Sequence, residues 1–139
     1  MAKQKKQTSR KTSSHSLHSS PASVALKIWL RDGKSGEIAL GPGRVQLLRL
    51  IEVTGSLSSA AKAMRMSYMN AWTLIREMNR SFTMPLVHAS RGGGDGGRAR
   101  LTTLGKKLVV LYDEMRRETD HIVLKRWKQL SKQAFLSKD

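Results

Sequence analysis

The spacing of apolar residues along the 139-residue chain changes from alternation to helical repeats and back, which predicts short strands around helices. Leu26, Ile28 and Leu30 alternate before a glycine-containing turn, and a second short β-prone run, EIAL at 37–40, follows it, so a β-hairpin is predicted here. Pro42 suits the first turn of a helix predicted over about 42–53, and the glycine that follows suits its end.

Residues 55–79, GSLSSAAKAMRMSYMNAWTLIREMN, predict two short helices joined by a tight turn. Ser56 or Ser58 can cap the first helix and Ser67 the second, because a serine oxygen accepts hydrogen bonds from amides without helical partners. One face of the second helix is apolar and is predicted to be buried: Ala71, Leu74, Ile75, Met78 and Phe82. The pattern is typical of a helix-turn-helix, whose second helix enters the DNA major groove. The alternative is an ordinary helical hairpin with a solvated polar face.

The opposite face of the second helix, about residues 68–80, carries hydrogen-bond donors and positive charge. Asn70, Thr73 and Arg76 have groups that can read base edges, whereas Lys62 and Arg65 are expected to contact only the phosphate backbone. The candidate DNA contacts on the two helices are Lys62, Arg65, Ser67, Tyr68, Asn70, Thr73, Arg76 and Arg80.

A glycine-rich loop, SRGGGDGGR at 90–98, lies between two short β-prone runs, which predicts the wing of a winged helix. Arg91, Arg98 and Arg100 can approach phosphates or a minor groove from this wing. The alternative is a permissive glycine loop that makes no contacts. The loop contains the spacing GxGxxG, but a strand rather than a helix is predicted after it, so a dinucleotide site is not expected.

Thr102 or Thr103 can cap a final helix predicted to reach about Ala134. Its apolar stripe is long for so small a domain. Part of the stripe is expected to pack on the core, and the rest needs a partner, most simply a second copy of the chain. The residues predicted to form this dimer interface are Leu104, Leu108, Leu111, Met115, Ile122 and Trp127.

Composition favours a polyanionic partner. The chain carries 26 Lys and Arg against 10 Asp and Glu, a formal net charge of +16, which suits double-stranded DNA, ribosomal RNA or an anionic surface. No stretch approaches the ~20 apolar residues that a membrane-spanning helix requires, so no membrane association is expected. The absence of cysteine excludes disulfides and is compatible with a cytoplasmic location.

These patterns divide the chain into three predicted parts. Residues 1–21 form a basic, serine-rich tail that is too poor in apolar groups to fold. Residues 22–102 form a winged helix-turn-helix domain, and residues 103–136 form a dimerisation helix. The predicted fold class is therefore mainly α with a small β component, including an N-terminal β-hairpin.

Catalytic and metal chemistry are not expected. The four histidines are scattered at positions 15, 18, 88 and 121, and the Glu118–His121 pair has no second motif with which to share a metal. Serines cluster in the tail and at helix starts, without a histidine and a carboxylate to activate them. The sequence therefore predicts no catalytic residue, no metal site and no cofactor.

Several of these motifs occur together in one known family. The string at 55–79, with Ser67-Tyr68, Ala71-Trp72 and Met78-Asn79 in register with the GGGDGG loop and LYDEM, resembles the N-terminal domain of molybdate-responsive regulators, the ModE family. The resemblance covers roughly residues 41–115. It implies a winged-helix, dimeric, promoter-binding transcription factor. Family members that sense oxyanions carry C-terminal molybdate-binding modules, for which no sequence remains before Asp139, so molybdate binding by this chain alone is not expected. Arg65 also stands where the family commonly has glycine.

The leading hypothesis is a sequence-specific DNA-binding regulator that acts as a homodimer. The main alternative is a non-specific basic nucleic-acid-binding protein, associated with the nucleoid or with RNA, for which base-reading side chains are unnecessary. A third possibility is a protein-interaction module that has lost DNA binding and keeps only its dimer helix.

Overall fold

The computed structural model describes residues 25–90 and 97–135, with side chains described as far as Lys132. The predicted tail at 1–21 and the tip of the glycine-rich loop lie outside the described residues. Within this part of the chain, the order of elements is strand, strand, three helices, strand, strand and a long helix, as the sequence predicts.

The N-terminal hairpin pairs β1 (Leu30–Arg31) with β2 (Ile38–Leu40) in antiparallel register, with Leu30 opposite Leu40. Asp32 stabilises the turn, because its carboxylate accepts a hydrogen bond of 2.7 Å from the amide of Lys34. Leu26, Ile28 and Leu30 alternate with exposed residues as predicted, although only the last of them lies in a paired strand.

Helix α1 (Pro42–Thr54) follows the hairpin and has the predicted proline in its first turn. It ends at Gly55, whose φ of 66° is the left-handed conformation that glycine adopts at low cost. The buried side of the helix forms the centre of the core with Val45, Leu47, Leu48 and Ile51.

Helices α2 (Leu57–Ala63) and α3 (Tyr68–Ser81) form the predicted pair. Ser56, rather than Ser58, caps α2 by accepting a hydrogen bond of 3.3 Å from the amide of Ser59. Ala60 and Ala61 are buried, and these small side chains let α2 lie close to its neighbours.

Strands β3 (Val87–Ala89) and β4 (Ala99–Leu101) form an antiparallel ribbon after α3. Val87, Ala99 and Leu101 are buried on its inner side, while its outer side is polar. A hydrogen bond of 2.9 Å from the amide of Ala99 to the carbonyl of Gly55 ties the ribbon to the end of α1.

Helix α4 (Thr103–Phe135) is capped by Thr102, whose hydroxyl accepts a hydrogen bond from the amide of Gly105 at 3.0 Å. Val109 and Tyr112 are buried, and the Tyr112 hydroxyl donates a 2.8 Å hydrogen bond to the carbonyl of Ile28. The first three turns of α4 are therefore part of the domain core. Three helices, a two-stranded wing and this fourth helix make the fold a winged helix-turn-helix.

Candidate nucleic-acid interface

Helix α3 is held in place by its start and by its apolar face. The Ser67 hydroxyl accepts a hydrogen bond of 3.1 Å from the amide of Asn70, which is the cap predicted from the sequence. Ala71, Ile75 and Met78 are buried, and Leu74 and Phe82 pack against the core with partial exposure. The predicted buried face is confirmed, so the opposite face of α3 is directed away from the domain.

The outward face of α3 carries Met69, Thr73, Arg76 and Arg80, at spacings of four, three and four residues. Arg76 and Arg80 are exposed, and Thr73 is half-buried. Asn70 is exposed on the flank of this face. Of these residues the sequence prediction omitted Met69, because an apolar side chain was not counted on a polar face.

Tyr68 and Trp72 lie on one flank of α3, where Trp72 lines the groove that faces the wing. Their rings stack with centroids 6.3 Å apart and planes inclined by 20°, and both are half-buried against the core. Trp72 therefore belongs to the packed edge of the helix. Tyr68 lies in the first turn of α3, at the end that leads into a DNA groove in this fold.

The turn between α2 and α3 contains Arg65 in the left-handed conformation, with a φ of 54°. It is the one non-glycine residue with positive φ in the described ranges 25–90 and 97–135. Its amide donates a hydrogen bond of 3.0 Å to the carbonyl of Lys62. Both basic side chains are exposed beside the start of α3.

Asn79, which is partly buried, attaches the wing to α3. Its side-chain amide donates a hydrogen bond of 2.9 Å to the carbonyl of Val87, and its side-chain oxygen accepts bonds from the amides of Leu86 and Val87 at 2.8 and 3.2 Å. These three hydrogen bonds hold the start of the wing against the helix. Sequence reasoning placed Asn79 in a family motif but assigned it no structural role.

The outer side of the wing is basic. His88 and Arg100 lie opposite each other in the strand register and are exposed, and Arg98 is exposed at the entry to β4. A hydrogen bond of 3.0 Å from the amide of Ser90 to the carbonyl of Arg98 closes the ribbon below the loop. Arg91, a predicted contact, lies outside the described residues.

A groove of about 830 Å³ separates α3 from the wing. Four arginines line it, two from α3 and two from the wing: Arg76, Arg80, Arg98 and Arg100. None of them forms an ion pair with another residue in the described parts of the chain. The groove therefore has concentrated positive charge that is available to an anionic partner.

Three acidic side chains that do not line the groove are each paired with a cation that does not line it either. Glu77, the acidic residue of α3, forms an ion pair of 2.6 Å with Arg44 of α1. Glu52 pairs with Lys106 at 3.3 Å, and Asp113 pairs with Arg49, on the side of the domain where α1 meets α4. These contacts leave the groove between α3 and the wing basic.

The predicted dimer residues occupy two environments on α4. Leu104 and Leu108 are half-buried and pack against the domain's own core. Further along, Leu111, Ile122 and Trp127 are exposed, and Met115 is half-buried. Among residues 25–90 and 97–132, no hydrogen bond or ion pair joins α4 to another element beyond Asp113. The rest of the helix therefore extends away from the domain.

The described residues contain no group of three or more histidine, aspartate or glutamate side chains placed to hold a metal ion. His121 and Glu118 lie beside Ile122 on the surface of α4. None of the helices in this part of the chain is long and apolar enough to cross a membrane.

Comparisons with known proteins place this surface in context. The transcriptional regulator ModE of Haemophilus influenzae is 39% identical over 82 residues, which cover 59% of this chain and 32% of that protein. The DNA-binding transcriptional dual regulator ModE of Escherichia coli K12 is 44% identical over 72 residues, or 52% of this chain and 28% of that protein. Over this segment the chain resembles the N-terminal domain of the ModE regulators. The resemblance inferred from the sequence motifs is thus confirmed.

A relative with a different name matches to a similar extent. The molybdenum-pterin-binding protein MopB of Rhodobacter capsulatus is 44% identical over 73 residues, which cover 52% of this chain and 27% of that protein. The chain thus spans about a third or less of the length of these ModE-type relatives. No protein-family model matches it. Among solved structures, ArgP from Mycobacterium tuberculosis aligns with a TM-score of 0.44 at 16% identity, over 61% of this chain and 30% of that chain. A LysR family transcriptional regulator aligns with a TM-score of 0.44 at 19% identity, over 63% of this chain and 28% of that chain.

Proposed function

We propose that the chain is a sequence-specific, DNA-binding transcriptional regulator that acts as a homodimer in the cytoplasm. The observation that carries the proposal is the pairing of α3 with the wing across a basic groove. The helix presents threonine and arginine outward, its acidic residue is neutralised by Arg44, and four arginines line the groove. In the proposed complex α3 lies in the major groove and the wing lies along the phosphate backbone.

The proposed contacts divide by chemistry. Arg76, Thr73 and Asn70 read base edges, because guanidinium, hydroxyl and amide groups match the donor and acceptor pattern of the major groove. Tyr68 and Ser67 at the start of α3 contact a phosphate through their hydroxyl groups or neighbouring amides. The remaining contacts are basic side chains that bind the phosphate backbone: Lys62, Arg65, Arg80, Arg91, Arg98 and Arg100.

The homodimer is proposed from α4. Its outer half carries exposed apolar residues, among them Leu111, Ile122 and Trp127, and such a surface is stabilised when a second helix covers it. Two recognition helices held by paired α4 helices would read half-sites about one DNA turn, ~34 Å, or a multiple of it apart. Molybdate binding is not part of the proposal, because the molybdenum-related names belong to relatives of which the chain matches less than a third.

The alternative function is non-specific binding of nucleic acid, which the net charge of +16 favours. Both functions involve phosphate contacts, so affinity for DNA alone does not separate them. They differ in whether the outward face of α3 discriminates between sequences. The deciding experiment therefore compares one selected operator with an unrelated duplex of equal length at a fixed salt concentration.

Arg76→Ala and Thr73→Ala are each expected to weaken operator binding by ~1–3 kcal/mol while leaving binding to the unrelated duplex much less affected. The reason is that each variant removes a base contact rather than a phosphate contact. Both residues lie on the outward side of α3, so melting temperatures should stay close to that of the wild type. Fluorescence anisotropy with the two duplexes measures the difference. Lys62→Ala is the control, with a small loss that is equal on both duplexes. Equal losses for Arg76→Ala and Thr73→Ala would support the non-specific alternative.

Arg65→Gly is expected to raise the free energy of unfolding by about 0.5–1 kcal/mol, because it relieves the left-handed strain at a modest cost in chain entropy. The same change should weaken binding to operator and unrelated DNA alike, since it removes a phosphate contact. Thermal melts and anisotropy measure the two effects. Arg65→Ala is the matched control, because it loses the charge but keeps the strained φ. A stability gain in Arg65→Ala as large as in Arg65→Gly would contradict the strain argument.

A further inference from the structure

Met69 is an apolar residue at an exposed position of α3, where it buries little of its surface in the isolated domain. It lies in the first turn of the helix, one residue after Tyr68, and 60% of the residue is exposed. The buried face of α3, centred on Ala71 and Ile75, lies on the other side of the helix. Met69 therefore contributes little to the core, and its role depends on what the outward face of α3 meets.

The neighbours of Met69 on that face are groups suited to DNA. Thr73 lies one turn further along the helix and Arg76 nearly two turns further, so the three side chains form one row. The N-terminal residues of a recognition helix approach base edges most closely. Met69 is the apolar member of this row, at its leading end.

The major groove displays a single type of apolar group, the C5-methyl of thymine, and other base edges there present donors or acceptors. A methionine thioether is long, flexible and polarisable, so it can cover such a methyl without a fixed geometry. A cytosine or purine at the same place would instead leave polar groups against an apolar side chain. We propose that Met69 is a specificity-determining residue that selects thymine in each half-site through contact with its C5-methyl group.

Tyr68, the other large side chain of this turn, is less suited to the same task. Its ring stacks on Trp72 and packs partly against the core, so it is less free to turn towards a base. Met69 has the exposure and the outward direction that the contact requires. The inference rests on the proposed function, because it assigns one base-reading role within the DNA-binding surface.

The experiment uses the full chain and begins with selection of duplexes from a random pool. A reproducible enriched sequence provides the operator. A series of operators is then made in which one thymine of each half-site is replaced by deoxyuridine, which removes the C5-methyl and leaves the base-pairing groups unchanged. Burying one methyl group stabilises a contact enough that its removal should weaken wild-type binding about fourfold per half-site. We expect this loss at one thymine position of the series.

Met69→Ala provides the second arm. Its affinity for the unmodified operator should fall by a similar or larger factor, and deoxyuridine at that thymine position should then cause no further loss. Met84→Ala is the matched control. Met84 is also an exposed methionine, at 64%, but it lies in the loop before β3, beside Thr103 and Leu104 at the start of α4. This control should bind like the wild type and keep the full sensitivity to deoxyuridine. Melting curves of both variants check that the fold is retained.

The outcomes separate the inference from the proposed function. Sensitivity to deoxyuridine in the wild type that disappears in Met69→Ala supports the inference. The inference is overturned if no single deoxyuridine substitution weakens wild-type binding. It is also overturned if the Met69→Ala variant keeps the wild-type sensitivity to deoxyuridine. Either outcome leaves the proposed function intact. A selection that enriches no sequence overturns the proposed function, and the thymine contact with it.

Discussion

We expect Gly105→Ala to lower the free energy of unfolding by about 3 kcal/mol, near the upper end of the usual cost of overpacking a core. A Cβ atom at this position would lie 2.3 Å from the carbonyl oxygen of Leu86, which is backbone and cannot rotate away. That oxygen also accepts a hydrogen bond of 2.9 Å from the amide of Thr102, so displacing it disturbs the start of α4 as well. Thermal unfolding measured by circular dichroism should show a melting temperature lower by roughly 10 °C or more.

Gly43→Ala is the matched control. Gly43 is also in the first turn of a helix, but no atom lies within 4 Å of the Cβ that alanine would add. Alanine is the better helix former at both positions, by up to about 1 kcal/mol, so the control should melt at or slightly above the wild-type temperature. A Gly105→Ala variant that melts together with Gly43→Ala would show that α4 does not pack against Leu86 this closely.

Local signals in the sequence predicted most of the elements correctly. Pro42 at the start of α1, Gly55 at its end and Ser67 at the start of α3 act through the backbone of their own few residues. Their effect therefore does not depend on the rest of the fold. The helical spacing of Ala71, Ile75 and Met78, at four and three residues, likewise determines which face of α3 is buried.

Contacts between distant residues could not be predicted in this way. Asn79 holds α3 to the start of β3, but an asparagine near a helix end has many ordinary roles, and nothing in its neighbours reveals a strand that begins eight residues later. For α4, the sequence showed a long apolar stripe without showing where the core ends along it. Val109 and Tyr112 are buried in the core, but Leu108 and Leu111 stand next to them in the sequence. The spacing alone does not show which of these neighbouring apolar positions faces the core.

The part of the candidate site that lies on one helix face could be predicted from the sequence, whereas the part that depends on contacts between distant residues could not. Polar and basic residues on one helix face indicate a nucleic-acid surface, so Thr73, Arg76 and Arg80 could be named from spacing. Met69 could have been found from the same spacing, since it is four residues before Thr73, but residue type was given more weight than position. The neutralisation of Glu77 by Arg44 could not be predicted, because no local pattern in the sequence shows that contact.

A chain that ends at Met115 is expected to remain folded but to be monomeric and to bind the operator at least ~100-fold more weakly. The domain should survive because the contacts of α4 with the core and with Arg49 are made by residues up to Asp113. The loss of affinity follows from losing the second half-site, because linked binding of two modules gains a factor of roughly 100 to 10,000 over a single one. Sedimentation velocity and anisotropy measure the mass and the affinity. A truncated chain that remains a tight dimer would refute the assignment of the dimer contact to the outer half of α4.

Two charge substitutions in the full chain test the same contact without shortening the helix. Ile122→Glu places a carboxylate on the proposed seam, and Val110→Glu places one on a neighbouring face of the same helix, one residue and therefore about 100° away from Leu111. The two side chains are similarly exposed, at 61% and 56%, so neither change should affect the folded domain strongly. Only Ile122→Glu should give a monomer, because burying an unpaired carboxylate in an apolar interface costs several kcal/mol. If both variants dissociate, net charge rather than the position of the stripe controls assembly, and if neither does, the two copies meet elsewhere.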